Sequence, residues 1–172
     1  MKMSNNVKKC VFAGTFDPIT TGHEKIIEKC LKAFDEVVVA IMVNTAKTTL
    51  LTQDERVELL NDLYSDEKRV KIRVFDGAVV DLLQSENTPF YVRGVRNTVD
   101  FEYENQNHFA NKHLFEDIIT IYFPAEQDML QVSSTLVKNS VHFAKEYADY
   151  IPSKIREKAV ALLESKNVRK TN

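Results

Sequence analysis

Ten residues near the amino terminus, Gly14-Thr15-Phe16-Asp17-Pro18-Ile19-Thr20-Thr21-Gly22-His23, place glycines, hydroxyls and an imidazole between an apolar run and a helical pattern. The run Val11-Phe12-Ala13 before them predicts a strand, and the periodic segment after them predicts a helix start. At such a junction, free backbone N–H groups and the positive end of the helix dipole suit phosphate oxygens. Three further polar clusters follow later apolar runs: Asn44 to Lys47, Arg93 to Arg96, and Ser133 to Thr135. Together the four clusters supply glycines, hydroxyls, cations and one histidine.

Several chemistries lack their residues. There is no G-x-S-x-G elbow, and neither Ser133 nor Ser134 has an identifiable Asp/His pair, which argues against covalent catalysis. The Walker loop and the G-x-G-x-x-G fingerprint are both missing, so neither P-loop hydrolysis nor hydride transfer is favoured. His23-Glu24 begins like a zincin helix, but Ile27 stands where the second histidine belongs. Cys10 and Cys30 have no metal or redox spacing and read as buried free thiols. What remains suits transfer of a nucleotidyl group, in which the second substrate is the nucleophile and the protein positions anions and stabilises charge on phosphorus. In that chemistry His23 donates to phosphate oxygens, while Lys47 and Arg93 hold opposing charge near the reacting groups. An attacking phosphate needs no protein base.

These clusters must be carried by strands and helices. Ile26, Ile27, Cys30, Leu31 and Phe34 share one face of a helix from Thr21 to Phe34, and Val37 to Val43 reads as a strand covered on both sides. Thr52 and Glu55 form a capping box for the next helix, and Val70 to Phe75 alternates like a strand nearer the sheet edge. A short helix follows from about Ala78 to Gln84. A strand at Phe90 to Val92 stops before Arg93, and a helix from about Val99 to Phe115 leads to a fifth strand at Ile118 to Phe123. Ser133 caps another helix. Ile151, Ile155, Ala159, Leu162 and Leu163 lie on the stripe of the last one. The expected fold is a single Rossmann-like α/β domain over 1–172, a five-stranded parallel sheet with helices on both faces, with 1–6 and 166–172 frayed. Right-handed crossovers put all four polar clusters at the C-terminal edge of the sheet.

A net charge of -2, with both signs mixed along the chain, gives no reason to expect nucleic acid or a membrane surface as partner, so phosphate binding must be local. The polar lead Met1 to Lys9 and the lack of any apolar run near 20 residues long point to the cytoplasm and to no membrane span.

The motifs G-T-F-D-P-I-T-T-G-H at 14–23, N-T-A-K at 44–47, R-G-V-R-N-T-V-D-F-E-Y-E at 93–104 and V-S-S-T-L-V-K at 132–138 closely resemble bacterial phosphopantetheine adenylyltransferases. Thr20-x-Gly22-His23 looks like the T-x-G-H form of the nucleotidyltransferase H-x-G-H signature. The resemblance covers nearly the whole chain. It implies that ATP and 4'-phosphopantetheine give dephospho-coenzyme A and pyrophosphate with magnesium, whose protein ligands it leaves open. It also implies a homohexamer and feedback by coenzyme A. Carried over by position, Thr15 and His23 sit at the reacting phosphates, with His23 as transition-state stabiliser. Lys47 and Arg93 match contacts to the phosphopantetheine phosphate, and Val79 falls where the pantetheine arm is lined. Phe16, Gly94, Val95, Arg96, Glu104, Met129, Leu130, Gln131, Val132, Ser133, Ser134 and Thr135 match ATP-binding positions. The chain departs from the pattern at Asp128 to Gln131, where relatives carry an aromatic, and at Thr135, where they carry a third serine.

Each residue also has a plain structural reading. His23 could be a helix-start histidine, Ser133 a cap alone, Val79 core, and Arg93 and Arg96 ion-pair partners of Asp100 or Glu104. Two other functions remain open: an adenylyltransferase acting on nicotinamide or nicotinate mononucleotide, and a nucleotide-binding regulatory module without turnover.

Overall fold

Runs rich in β-branched residues alternate with amphipathic segments, and each run becomes a strand. A computed structural model describes residues 7–43 and 48–168. The strands β1 (Lys9–Gly14), β2 (Glu36–Met42), β3 (Val70–Phe75), β4 (Phe90–Val95) and β5 (Ile119–Pro124) form one sheet in the order β3-β2-β1-β4-β5. All four pairings are parallel. The helices between and after them are α1 (Thr21–Ala33), α2 (Gln53–Leu63), α3 (Val79–Ser85), α4 (Thr98–Leu114), α5 (Ser134–His142) and α6 (Arg156–Val168).

Alternate residues of each strand serve opposite faces. Cys10 and Phe12 of β1 join Val37, Val39 and Ile41 of β2 in the larger core, closed by Ile27, Leu59, Leu60, Val137 and Leu163 from α1, α2, α5 and α6. Val11, Ala13, Val38 and Ala40 point the other way and pack with Leu82 and Leu83 of α3. Both cysteines are buried free thiols within the fold, as their spacing predicts. β3 is an edge strand with a mostly half-exposed surface, in keeping with its alternating sequence.

Two expectations need correcting. β4 does not stop at Val92: Arg93, Gly94 and Val95 pair with Tyr122, Phe123 and Pro124 of β5. A polar residue ended the apolar run, but the neighbouring strand supplied hydrogen-bond partners beyond it. At the carboxyl end, α6 continues to Val168, so 166–168 are helical where fraying was expected; the rest of the expected fraying, 1–6 and 169–172, lies outside the described residues. Lys166 pairs with Glu55 at 2.7 Å, and Asn167 Nδ2 donates to the Val141 carbonyl at 2.8 Å, so long-range contacts hold this turn.

Strand order reverses beside β1, where the chain moves outward to β2 and β3 and later returns to β4. The crevice between the C-terminal ends of β1 and β4 is the place where open α/β sheets bind ligands. Gly94 lets α1 approach β4 closely there, because a Cβ on it would lie 3.0 Å from Ile26 Cγ1. Among the described residues, no helix is long and apolar enough to cross a membrane.

Candidate active site

The loop from Gly14 to Thr20 leaves β1 through Phe16, whose φ of +50° is left-handed and unusual for an aromatic residue. Such a conformation persists only where its surroundings hold it, and here they do. The Phe16 ring is buried edge-on against Phe12 and His23, with centroids 5.6 and 5.2 Å apart. Buried Arg56 of α2 donates to the Thr15 carbonyl at 2.8 Å, and Ser134 of α5 donates its hydroxyl to the Pro18 carbonyl at 2.7 Å. The Asp17 carboxylate, 1% exposed, accepts from the Leu50 and Leu51 amides at 2.9 and 2.8 Å and pairs with Lys138 Nζ at 3.2 Å.

His23 begins α1. Its Nδ1 accepts from the Thr20 backbone N–H at 3.1 Å and lies 2.8 Å from Thr20 Oγ1. A ring nitrogen that accepts a backbone N–H carries no proton of its own, which leaves the proton of the neutral ring on Nε2. Burial, followed by the nearby cations Arg93 and Arg96, lowers the imidazole pKa to about 4. Near neutral pH the ring is therefore an uncharged Nε2 donor.

Arg93 stands in the C-terminal half of β4 with its guanidinium between two elements. One amino group donates to the Ala13 carbonyl at 2.8 Å, another forms a short ion pair with Glu104 of α4, and the Tyr91 ring lies 5.6 Å away. Its Nε is buried without a hydrogen-bond partner among the described residues. Arg96 pairs with Asp100 at 2.7 Å. Both arginines thus have the carboxylate partners that the sequence allowed, and Glu104 meets the cleft through Arg93.

On the opposite side, Ser133 caps α5 by accepting from the Leu136 amide at 3.1 Å. With the Ser133 and Ser134 hydroxyls and the Leu136 amide so engaged, the Ser134 and Thr135 amides are the first-turn groups left for an anion. Thr21 donates its hydroxyl to Met129 Sδ at 3.4 Å, tying the segment before α5 to α1.

These groups line one cleft of about 780 Å³. Of the sequence-derived candidates, Thr15, Phe16, His23, Arg93, Gly94, Arg96, Glu104, Met129, Val132, Ser133, Ser134 and Thr135 border it. Val95, Leu130 and Gln131 do not, although they adjoin residues that do. Val79 packs with the α3 core rather than the cleft wall. Lys47 lies outside the described residues. Sequence reasoning passed over Asp17, Arg56 and Lys138. Lys138 was legible as the residue one helical turn after Ser134, and Arg56 as a charge on the stripe it shares with Leu59, Leu60 and Leu63.

The cleft combines an uncharged donor, a half-buried arginine and a helix amino terminus at the switch point of a parallel sheet, an arrangement suited to nucleotidyl transfer. The cytidylyltransferase-like family model matches residues 11–140. A solved Vibrio parahaemolyticus chain, named as a candidate nicotinate-nucleotide adenylyltransferase, aligns with a TM-score of 0.63 over 90% of this chain and 99% of its own. At 20% identity that likeness speaks for the fold alone. Sequence relatives are more specific. The phosphopantetheine adenylyltransferase of Clostridium beijerinckii is 38% identical over 87% of this chain and 94% of its own. That of Thermodesulfovibrio yellowstonii is 38% identical over 89% and 95%, and that of Christiangramia forsetii 34% over 88% and 100%. The chain belongs to the phosphopantetheine adenylyltransferase family.

Proposed function

We propose that this chain transfers the adenylyl group of ATP to 4'-phosphopantetheine, forming dephospho-coenzyme A and releasing pyrophosphate. The observation that carries the reading is the neutral, Nε2-protonated His23 set in a cleft between Arg93 and the amino terminus of α5, on a chain that matches phosphopantetheine adenylyltransferases over nearly their full length.

In this reaction a phosphate oxygen of the acceptor attacks the α-phosphorus of ATP in line. The new P–O bond forms as the bond to the β-phosphate oxygen breaks, and the electron pair leaves with pyrophosphate. The attacking oxygen is already ionised, so catalysis consists of positioning and charge stabilisation. In this reading His23 and Thr15 act at the α-phosphate, with the His23 Nε2–H donating as charge builds on the equatorial oxygens. Lys47 and Arg93 hold the acceptor phosphate. The Ser134 and Thr135 amides at the start of α5 take the β,γ end of the triphosphate, and Gly94, Arg96, Glu104, Met129 and Val132 surround the nucleoside.

Magnesium belongs to the reading as the counter-ion of ATP. Among the described residues no cluster of His, Cys, Asp and Glu could hold a metal ion, and the Asp17 carboxylate in the loop is engaged by amides and Lys138. Magnesium held mainly by the ATP phosphates and water needs no such cluster of protein ligands. The reading extends to a homohexamer, for which exposed Val99, Phe109 and Leu114 on α4 offer apolar surface, and to feedback by coenzyme A, whose phosphopantetheine arm matches the acceptor.

The test is pyrophosphate release from ATP and magnesium with 4'-phosphopantetheine, beside unphosphorylated pantetheine and nicotinate mononucleotide. Release with phosphopantetheine alone, with dephospho-coenzyme A of the expected mass, is the expected result. Release with nicotinate mononucleotide instead would replace the acceptor, and ATP binding with no release from any acceptor would make the chain a regulatory module.

A further inference from the structure

Arg56 of α2 is 6% exposed and does not border the cleft, yet it reaches the phosphate loop from behind. Its Nη1 donates to the Thr15 carbonyl at 2.8 Å and its Nε to the Thr52 carbonyl at 3.3 Å. Thr52 is the N-cap of α2, so the guanidinium ties the loop to a fixed helix end. Burial lowers the Arg56 pKa, and the Asp17 carboxylate of the same loop opposes that shift. Holding the Thr15 carbonyl also sets the direction of the next amide. The peptide bond between Thr15 and Phe16 is planar and trans, so its N–H points opposite to the oxygen that Arg56 holds. Among the described residues that Phe16 N–H has no hydrogen-bond partner, although Phe16 is 2% exposed. An N–H orphaned on so buried a residue is rare, and this one belongs to a residue that borders the cleft and packs against His23. Phe16 also has a way to relax. Turning the peptide over would take its φ from +50° to about -130°, in the broadly allowed extended region, and the bond from Arg56 opposes that turn.

We propose that Arg56 is a positioning residue for the transfer: by holding the Thr15 carbonyl away from the cleft, it keeps the Phe16 N–H turned toward the cleft as a donor to the α-phosphate, beside the His23 Nε2–H. The inference rests on the reading of this loop as the α-phosphate site. As negative charge gathers on the α-phosphate oxygens, a donor fixed beforehand needs no reorganisation. Without Arg56 the relaxed peptide presents a carbonyl oxygen where the N–H stood, which repels the charge it should stabilise.

The test is steady-state pyrophosphate release by the parent and Arg56→Met, with both substrates varied and the folded fraction checked by thermal melting. Arg56→Met is expected to lower kcat about 10-fold or more, with KM for phosphopantetheine within about threefold of the parent. Arg56→Lys keeps the charge beside Asp17 but not the planar fork, and is expected to give the same loss, smaller, should Arg56→Met not fold. The amide itself is read by NMR. Thr-Phe occurs once in the chain, so threonine labelled with carbon-13 at the carbonyl and phenylalanine labelled with nitrogen-15 mark this peptide alone. Its amide proton is expected to move downfield when ATP and magnesium bind the parent, and to stay in place in the arginine variant that folds. A lowered melting temperature with parental kcat would overturn the proposal, as would a loss confined to KM or a labelled amide that bound ATP leaves unmoved in the parent. No pyrophosphate release by the parent with phosphopantetheine would remove the reading of the site, and the inference with it.

Discussion

Replacing His23 with alanine separates two roles that the structure gives one ring. On the cleft side it removes a single neutral Nε2–H donor. With a pKa of about 4 the ring is neutral in all but about one molecule in a thousand at pH 7, so no full charge is lost. Loss of one preorganised donor to a developing oxyanion costs about 3 kcal/mol of barrier, or about 100-fold in kcat. On the protein side the substitution leaves the Thr20 N–H without its acceptor, a lost cap worth about 1 kcal/mol. For a chain of this size that lowers the melting temperature by about 2–4 °C, well short of unfolding at 25 °C. The assay is pyrophosphate release at saturating ATP and phosphopantetheine, with melting followed in parallel. The expected variant is folded, binds ATP within threefold of the parent, and turns over about 100-fold more slowly. A kcat within threefold of the parent would refute the reasoning, as would a loss confined to KM.

Arg93→Ala is expected to raise KM for phosphopantetheine at least 10-fold and to destabilise the protein by about 3 kcal/mol, because it strands the Glu104 carboxylate. Denaturant melts of the Arg93→Ala/Glu104→Ala pair should recover part of that stability without recovering KM. Gly94→Ala brings a Cβ to 3.0 Å from Ile26 Cγ1, and overpacking of about 1 kcal/mol or more should appear in melting as α1 moves away from β4. The His23 ring should titrate by NMR with a midpoint of about 4; a midpoint near 6.5 would contradict its burial beside two arginines. Because this pKa is lower in the folded state than in the unfolded chain, its contribution to stability is full above about pH 6.5 and is lost as pH falls toward 4. The loss is at most roughly 3 kcal/mol.

Much of this was legible in the chain. The unbroken apolar run Val37 to Met42, rich in β-branched residues, and the helical stripe through Ile26, Ile27 and Cys30 required a parallel sheet covered by helices, since each such face must be buried. Thr52 and Ser133 marked helix starts through capping chemistry that acts within four residues, and both caps are present. Local patterns failed where distant strands decide. β4 runs on through Arg93 because β5 pairs with it, and α6 holds through Val168 because Glu55 and Val141 meet its last turn.

By itself the sequence determined the class of fold, the four motifs and the family, because periodicity and motif spacing are properties of neighbours along the chain. Only the tertiary structure decided the state of the residues in those motifs. Arg93 meets the Ala13 carbonyl 80 positions away, Asp17 meets Leu51 and Lys138 across 34 and 121, and His23 owes its neutral ring to burial beside Arg93 and Arg96. Hydrogen bonds and desolvation act over a few ångströms of space, and no pattern along a linear chain specifies which distant groups come that close.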